Sequence, residues 1–294
     1  MSSHIIAYLG IEGSYSHQAS QAIFPGQTYA GHSQFSSIFS EVEAGRAEYA
    51  VVPVDNALSG RIDGIYRELS KTTLNIVQEY ILPIHHCLLA AKPEAGAPAP
   101  DYAGITEVYS HPQGFLQCQN FIQKNLPKAV LADATDTAAA ARDVAARGQP
   151  GLAAISSKVC AARYGLAVLA ENIEDEPGNA TRFLVLSRQG FEGSAPIFPA
   201  LTTILFQTKH EPGSLVGALG AFSSQGVNLT KLETYMASKE RRKPTFYVDV
   251  GEHLYSPRMA AAMAEFKKHV ESWKVLGTYP ASPQRGVVSG FLTI

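Results

Sequence analysis

The chain has 294 residues, 46% of them hydrophobic, which is enough for two packed domains and argues against disorder. Its 24 basic and 26 acidic residues nearly cancel, so no long-range field would gather nucleic acid or anionic lipid, and an anionic ligand must be held by local groups. No run reaches the roughly 18 apolar residues of a membrane span, no basic leader precedes an apolar run, and the widely separated Cys87, Cys118 and Cys160 suit buried, reduced thiols in a cytoplasmic protein better than disulfides or a zinc site.

Up to about residue 190, short runs of Val, Ile, Leu and Ala alternate with helical patterns, the signature of α/β layering on a mostly parallel sheet. A strand over 5–10 leads into a helix over 15–24, a second helix follows over 38–44, and a strand over 50–54 ends at the turn Asp55-Asn56-Ala57. Residues 80–91 read as one long extended segment and 92–100, rich in Pro and Ala, as a surface loop. The pattern then restarts with a strand over 107–110, a helix over 112–124, a strand over 129–131, and a helix over 137–147 with polar caps before it and Gly148 after it. A strand over 153–156 and a helix over 158–164 complete it. Two successive groups of this kind predict two lobes with a ligand cleft between them. Residues 187–200, with Gly190, Gly193, Pro196 and Pro199, read as a linker. Beyond it come a strand (200–209), a helix (214–225), two strands (227–236 and 245–251), a helix (258–270) and a strand (273–279), the βαββαβ order of a ferredoxin-like domain. The tail from 282 onward carries no clear pattern.

Four segments carry groups able to do chemistry. Gly-Ile-Glu-Gly-Ser-Tyr-Ser-His at 10–17 turns from strand to helix and presents backbone N–H groups with the hydroxyls of Ser14, Tyr15 and Ser16. It has neither dinucleotide-fingerprint spacing nor a P-loop lysine, and a plain turn with a serine cap explains it as well. Asp55 and Asn56 sit just past a strand, where α/β sheets place ligand contacts; an Asx turn is the plain alternative. Tyr109-Ser110-His111-Pro112-Gln113 opens a helix that carries Gln117 one turn on, so hydroxyl and amide groups meet a positive helix end, unless Ser110 serves only as the N-cap. An acidic loop from Asn172 leads through Asn179 into a strand beginning at Thr181 or Arg182, which a surface loop with a strand-start threonine would also explain. Two further signals point away from function. His85 and His86 lie on an extended run, so they face opposite sides and make a poor metal pair, and the basic cluster 239–243 reads as a solvated hairpin tip.

Taken together, Gly-x-x-Gly-Ser-Tyr-Ser-His, Val-Pro-Val-Asp-Asn-Ala-x-x-Gly-Arg-Ile, Ser-His-Pro-Gln with Gln117-Cys118, Asp136-Thr137-Ala138-Ala139, Tyr164-Gly165-Leu166 and the stretch from Asn172 to Phe183 resemble the prephenate dehydratase family across residues 4–190. Residues 200–280 resemble the ACT domain that many members carry, and the arrangement looks like the monofunctional one, without a chorismate mutase domain ahead of the catalytic half. The resemblance implies an α/β, two-lobed catalytic domain like the type 2 periplasmic binding proteins over 1–190, its second lobe over about 82–168, and a ferredoxin-like βαββαβ ACT domain over 200–281. It implies decarboxylating dehydration of prephenate to phenylpyruvate in phenylalanine biosynthesis, with no cofactor and no metal.

Carried over by motif, Thr181 assists departure of the ring hydroxyl, and Asn56, Gln117 and Ser110 are its catalytic neighbours. Ser14, Tyr15, Ser16, Asp55, His111, Thr137, Arg182 and Phe183 would bind substrate, with Arg182 and the serine turn holding carboxylates. The ACT half implies feedback inhibition by phenylalanine bound around Glu211, Pro212, Gly213, Ser214, Leu215, Asn228 and Glu233, and a homodimer or homotetramer paired through these domains. The chain departs from the family at Asp55-Asn56-Ala57, where many members have Glu-Asn-Ser, at Glu233-Thr234-Tyr235-Met236 in place of Glu-Ser-Arg-Pro, and at Gly213-Ser214-Leu215 in place of Gly-Ala-Leu. An arogenate dehydratase of the same mechanism and a non-catalytic small-molecule sensor of the same fold are the competing readings. Retention of Thr181 with Asn56 and Gln117 argues against the sensor.

Overall fold

The computed structural model describes residues 4–92, 102–191, 199–236, 244–287 and 290–291; the basic cluster 239–243, most of the loop over 92–100 and the middle of the 187–200 linker lie outside the described residues. In chain order the first lobe contains β1 (Ile5–Leu9), α1 (Tyr15–Ile23), β2 (Thr28–His32), α2 (Phe35–Glu43), β3 (Tyr49–Asn56), β4 (Gly60–Arg61), α3 (Ile65–Lys71) and β5 (Asn75–Pro83). A second lobe follows, with β6 (Cys87–Ala91), β7 (Glu107–Ser110), α4 (Pro112–Leu116), α5 (Gln119–Asn125), β8 (Val130–Asp133), α6 (Thr137–Arg147), β9 (Leu152–Ser156), α7 (Lys158–Tyr164) and β10 (Leu166–Glu171). The chain returns to the first lobe as β11 (Ala180–Ser187). A third unit comprises β12 (Ala200–Thr208), α8 (Ser214–Ser223), β13 (Leu229–Met236), β14 (Pro244–Val250), α9 (Pro257–Phe266) and β15 (Val270–Pro280).

Each unit has its own sheet, with strand orders β2-β1-β3-β11-β5, β10-β6-β9-β7-β8 and β13-β14-β12-β15. The first two are mixed rather than mostly parallel. β5 leaves the first lobe and β11 re-enters it at the same edge, so the two must run antiparallel; β6 and β10 do the same in the second lobe. The two crossings are pinned together: Ile84 N–H donates to Asn179 O and Ile173 N–H to His86 O, at 2.8 and 3.0 Å. Two lobes of mixed sheet joined by a double crossing make this the two-lobed, periplasmic-binding-protein-like architecture. The expected single strand over 80–91 is therefore two strands in different sheets, with His85 and His86 at the hinge between them.

Local chemistry sets the helix ends. Ser14 caps α1 by accepting from His17 N, Asp136 caps α6 by accepting from Ala139 N, and Gly148 closes α6 in the left-handed conformation. The helix expected over 112–124 breaks at Gln117-Cys118, because the returning hinge loop docks there: Asp175 N–H donates to Gln117 O, and the Asp175 carboxylate accepts from Asn120 N–H at the start of α5. β2, β4, α3 and β10 have no counterpart in the sequence reading; β2 and β10 are only partly buried, so neither carries a strong apolar pattern.

The third sheet is covered on both faces. Ile204, Phe206, Phe246 and Val248 pack under α8 and α9 against Phe222 and Phe266. Leu201, Leu205, Tyr247, Leu276 and Tyr279 face the other way and share one core with Ile38, Val52 and Leu69 of the first lobe. At Gly277 any side chain would collide with the Ile76 carbonyl, so the β15 backbone lies directly on β5.

Candidate functional site

Thr181 stands at the start of β11, 8% exposed, where the returning hinge segment enters the first sheet. Strand pairing places it opposite Asn56 at the end of β3, so both side chains rise from one face of the sheet. Asn56 Nδ2 lies 3.1 Å from Thr181 Oγ1, 2.8 Å from Asn179 Oδ1 and 3.1 Å from the Ala180 carbonyl. Its Oδ1 accepts from the backbone N–H groups of Leu58 and Ser59 and from the Ser59 hydroxyl, which fixes the amide orientation. The Asx turn weighed as an alternative is thus present, and it serves the site: it aims Nδ2 at Thr181.

From this pair a continuous line of polar side chains crosses the hinge. Asn179 Nδ2 donates to Gln117 Oε1 (3.0 Å) on the second lobe, and His86 Nε2 donates to the same oxygen (2.8 Å). His86 therefore carries its proton on Nε2, and its Nδ1 lies 3.2 Å from the Tyr15 hydroxyl, whose one proton is directed to His85 O at 2.8 Å. Burial pushes the His86 pKa down and the Tyr15 phenol pKa well up, so both are neutral near pH 7. The two histidines do face opposite ways. The His85 side chain is 61% exposed and pairs with Glu174, and His86 is 2% exposed inside the line. Among the described residues no group of three or more His, Cys, Asp or Glu is arranged to hold a metal ion, and all three cysteines are free and buried.

His86 and Asn179 are functional candidates that the sequence reading did not name as site residues. The signal for His86 was available in strand alternation, which turns one of an adjacent pair inward. Glu174 is held below the usual carboxylate range: burial alone would raise it, but the His85 ring and the His86 N–H overcome that, and the acid ties the two crossings together.

Around this line, the structure draws several expected residues to the lobe junction. A Cβ on Gly10 would meet Ser14 Oγ and Asp136 Oδ2, so the starts of α1 and α6 face each other across the cleft. Thr137 and Ser110 both border Gly114 of α4. Ser110 is fully buried and donates to the Ile155 carbonyl at 2.9 Å, so it does not cap α4; His111 does, its Nδ1 accepting from Gln113 N–H. Ser14 is occupied as a helix cap, and Ser16 is buried one residue beyond Tyr15. A cavity of about 500 Å³ opens beside Gln117, between Leu58 and Ser59 of the first lobe and Gln113 and Leu116 of the second.

Three expected substrate contacts point elsewhere. Arg182 is 1% exposed and directed away from the cleft, because neighbours on a strand face opposite sides. Its guanidinium is held by Asp249 (2.6 Å), Glu79 (2.7 Å), the Tyr279 hydroxyl (3.0 Å) and Asp55 (3.5 Å). Asp55 lies on that same far face, accepting from Tyr66 OH and paired with Lys231 of β13. Both are removed from the substrate set; they join the first lobe to the third unit. Phe183 shares the Thr181 face but is sunk beneath α1 with Ile6, Ala19 and Val51, as core.

In the third unit, residues 211–215 form the turn into α8, with Gly213 at φ +83, and line a surface cavity of about 460 Å³ with Lys209 and His210. Asn228 and Glu233 do not line it; the Glu233 carboxylate pairs with Lys231 two residues away.

These features agree with what the chain is similar to. A family model described as prephenate dehydratase matches residues 6–190. A bifunctional chorismate mutase/prephenate dehydratase of Enterobacter agglomerans is 39% identical over 280 residues, covering 94% of this chain and 70% of that protein. A bifunctional N-acyl-homoserine lactone acylase/prephenate dehydratase of Komagataeibacter europaeus is 35% identical, covering 96% and 97% of the two chains. The crystal structure of an Arthrobacter aurescens prephenate dehydratase in complex with L-Phe superposes with a TM-score of 0.83 at 27% identity, covering 95% of this chain and 94% of that one. On its fold, its matched residues and these relatives, the chain belongs to the prephenate dehydratase family.

Proposed function

We propose that this prephenate dehydratase uses Thr181 as the group that assists departure of the substrate hydroxyl. The observation that carries this is the Asn56 contact: an N–H given to a lone pair of Oγ1 leaves the threonine's own O–H free to donate outward. As the carbon–carboxylate bond breaks, its electron pair enters the ring and the ring carbon–oxygen bond breaks. The hydroxyl leaves as water with the Thr181 proton, carbon dioxide departs, and phenylpyruvate remains. The Asn56 N–H stabilises the oxygen left on Thr181 until a proton returns. Aromatisation supplies the driving force, so alignment and a polarised leaving group suffice.

With Arg182 engaged on the far face, the substrate carboxylates fall to the N-terminal ends of α1 and α6 and to the Nε2–H of His111, whose Nδ1 is already an acceptor. The uncharged line from Asn179 through the partly exposed Gln117 to His86, buried at both ends, holds both lobes against the substrate. We place the enzyme in the cytosol, in keeping with its three free cysteines.

The third unit is read as an ACT domain taking phenylalanine at the 211–215 turn, a reading supported by the L-Phe complex of the Arthrobacter relative. Because Asn228 and Glu233 lie away from this turn, the effector site is completed between two chains. Among the described residues β13 is the edge strand of its sheet and leaves Leu232 and Met236 exposed, which suits a homodimer or homotetramer formed through this unit. The deciding assay is phenylpyruvate absorbance from purified protein and prephenate, with arogenate and an N-acyl-homoserine lactone as alternative substrates and phenylalanine as inhibitor. Turnover of arogenate with none of prephenate would reject the substrate assignment.

A further inference from the structure

We infer that the chain after β15, in its described residues 282–287 and 290–291, is a strap that positions the Asn56–Thr181 pair, with Phe291 and Arg285 as its two anchors. This rests on the reading of Thr181 and Asn56 given above. Phe291 is 8% exposed and packs against Ile81 of β5, Ala180 of β11 and Ala57, the residue after Asn56. Those contacts fall on the backbone that sets the pair: the Ala180 carbonyl accepts from both Ala57 N–H (2.8 Å) and Asn56 Nδ2 (3.1 Å). Gly290 makes the approach possible. It has φ +88, and an added Cβ would lie 2.9 Å from the Ala57 Cβ.

The second anchor grips the same strands on the same face, two residues along β5 from Ile81. Arg285 forms a two-pronged ion pair with Glu79 of β5, at 2.6 and 2.9 Å, and Ser282 N–H adds a third bond to that carboxylate at 2.7 Å. Glu79 also accepts from Arg182, the residue after Thr181. Between the anchors the strap is closed on itself by Gly286 N–H donating to Phe291 O at 3.0 Å. The strap therefore holds β3, β11 and β5 in register at the point where Asn56 meets Thr181, without touching the substrate.

The test uses the full-length protein with Phe291→Ala, Phe291→Leu and Arg285→Met, measured for kcat, KM and melting temperature, and for amide exchange at Ala57. Because small displacements of reacting groups cost up to about a hundredfold, Phe291→Ala is expected to lower kcat by about tenfold with KM within about threefold. Exchange at Ala57 should quicken by about tenfold while amides in α2 keep their parent rates, and Phe291→Leu, which refills the volume, should restore both. A lower melting temperature with parent kcat and parent Ala57 exchange would overturn the proposal, leaving the strap purely structural. If the parent itself fails to turn over prephenate, the functional reading falls, and the exchange data alone still decide whether the strap sets this backbone.

Discussion

On the proposed assignment, Thr181 and Asn56 illustrate how a weak acid is made useful. A threonine hydroxyl donates poorly in water, but a nearly buried one whose oxygen already receives an N–H donates in one direction only, and its hydrogen bond strengthens as charge builds on the leaving oxygen. Thr181→Ala should lower kcat by about 10²- to 10⁴-fold, equivalent to about 3 to 5 kcal/mol of transition-state stabilisation, with KM nearly unchanged. Steady-state kinetics on prephenate check this, and turnover within about threefold of the parent would exclude Thr181 as the acid. His86 makes a second prediction at this scale. Burial depresses its pKa below the ordinary histidine value of 6.5, so its imidazole proton resonance should titrate below that pH. The unfolded chain takes up this proton at higher pH than the native protein, so stability from this residue declines as pH drops from 6.5 through the folded value. An NMR titration with its midpoint at or above 6.5 would contradict the buried neutral assignment.

Among elements, β11 is the one on which the molecule turns. Its odd positions, Thr181 and Phe183, face the cleft and the α1 core; Arg182 faces the third unit. One strand thereby presents the Thr181 hydroxyl on one face and a fully buried cation among three carboxylates on the other. Arg182→Met removes the cation and leaves Glu79, Asp55 and Asp249 facing one another, so urea unfolding should show a loss of about 3 to 5 kcal/mol, the usual cost of breaking a buried ion pair on one side. The motif made Arg182 look like a carboxylate ligand. The alternation that sorted His85 from His86 also separates Arg182 from Thr181, but the presence of a third unit with Asp249 waiting on the far face is a tertiary fact. The break between α4 and α5 is similar: Pro112 to Asn125 has helical spacing throughout, and it is the docked hinge residue Asp175 that ends one helix and caps the next. Asp175→Ala should cost about 1 kcal/mol of stability by the same denaturation measurement, as loss of a helix cap does.

At the scale of the whole molecule, the third unit is fused to the catalytic half through a shared apolar core and a buried ionic knot. Burial alone would raise the Glu79 pKa, but the adjacent Arg182 and Arg285 charges and the Ser282 N–H hold it below the ordinary glutamate value of 4.5. The stabilisation it provides is therefore fully present above pH 4.5 and lost as pH falls through the lowered folded value. Urea midpoints followed downward in pH should fall below 4.5 in the parent, and Glu79→Gln should start lower with a shallower decline. A parent and variant declining in parallel would remove Glu79 from the acid response.

The covalent sequence by itself determined the alternation of elements, the two α/β lobes and the βαββαβ order of the last third, because hydrophobic period and helix caps are local properties of the chain; its motifs, through the family they resemble, also nominated Thr181, Asn56 and Gln117 as the candidate set. Only the tertiary structure decided which way each polar group faces. That Asn56 aims its amide at Thr181, that His86 completes the line across the hinge, and that Arg182 and Asp55 bind the third unit all depend on strand register and on contacts between residues as much as 206 positions apart, as Arg285 is from Glu79. Burial makes those orientations matter, since a polar group removed from water must find its partner within the fold, wherever in the chain that partner lies.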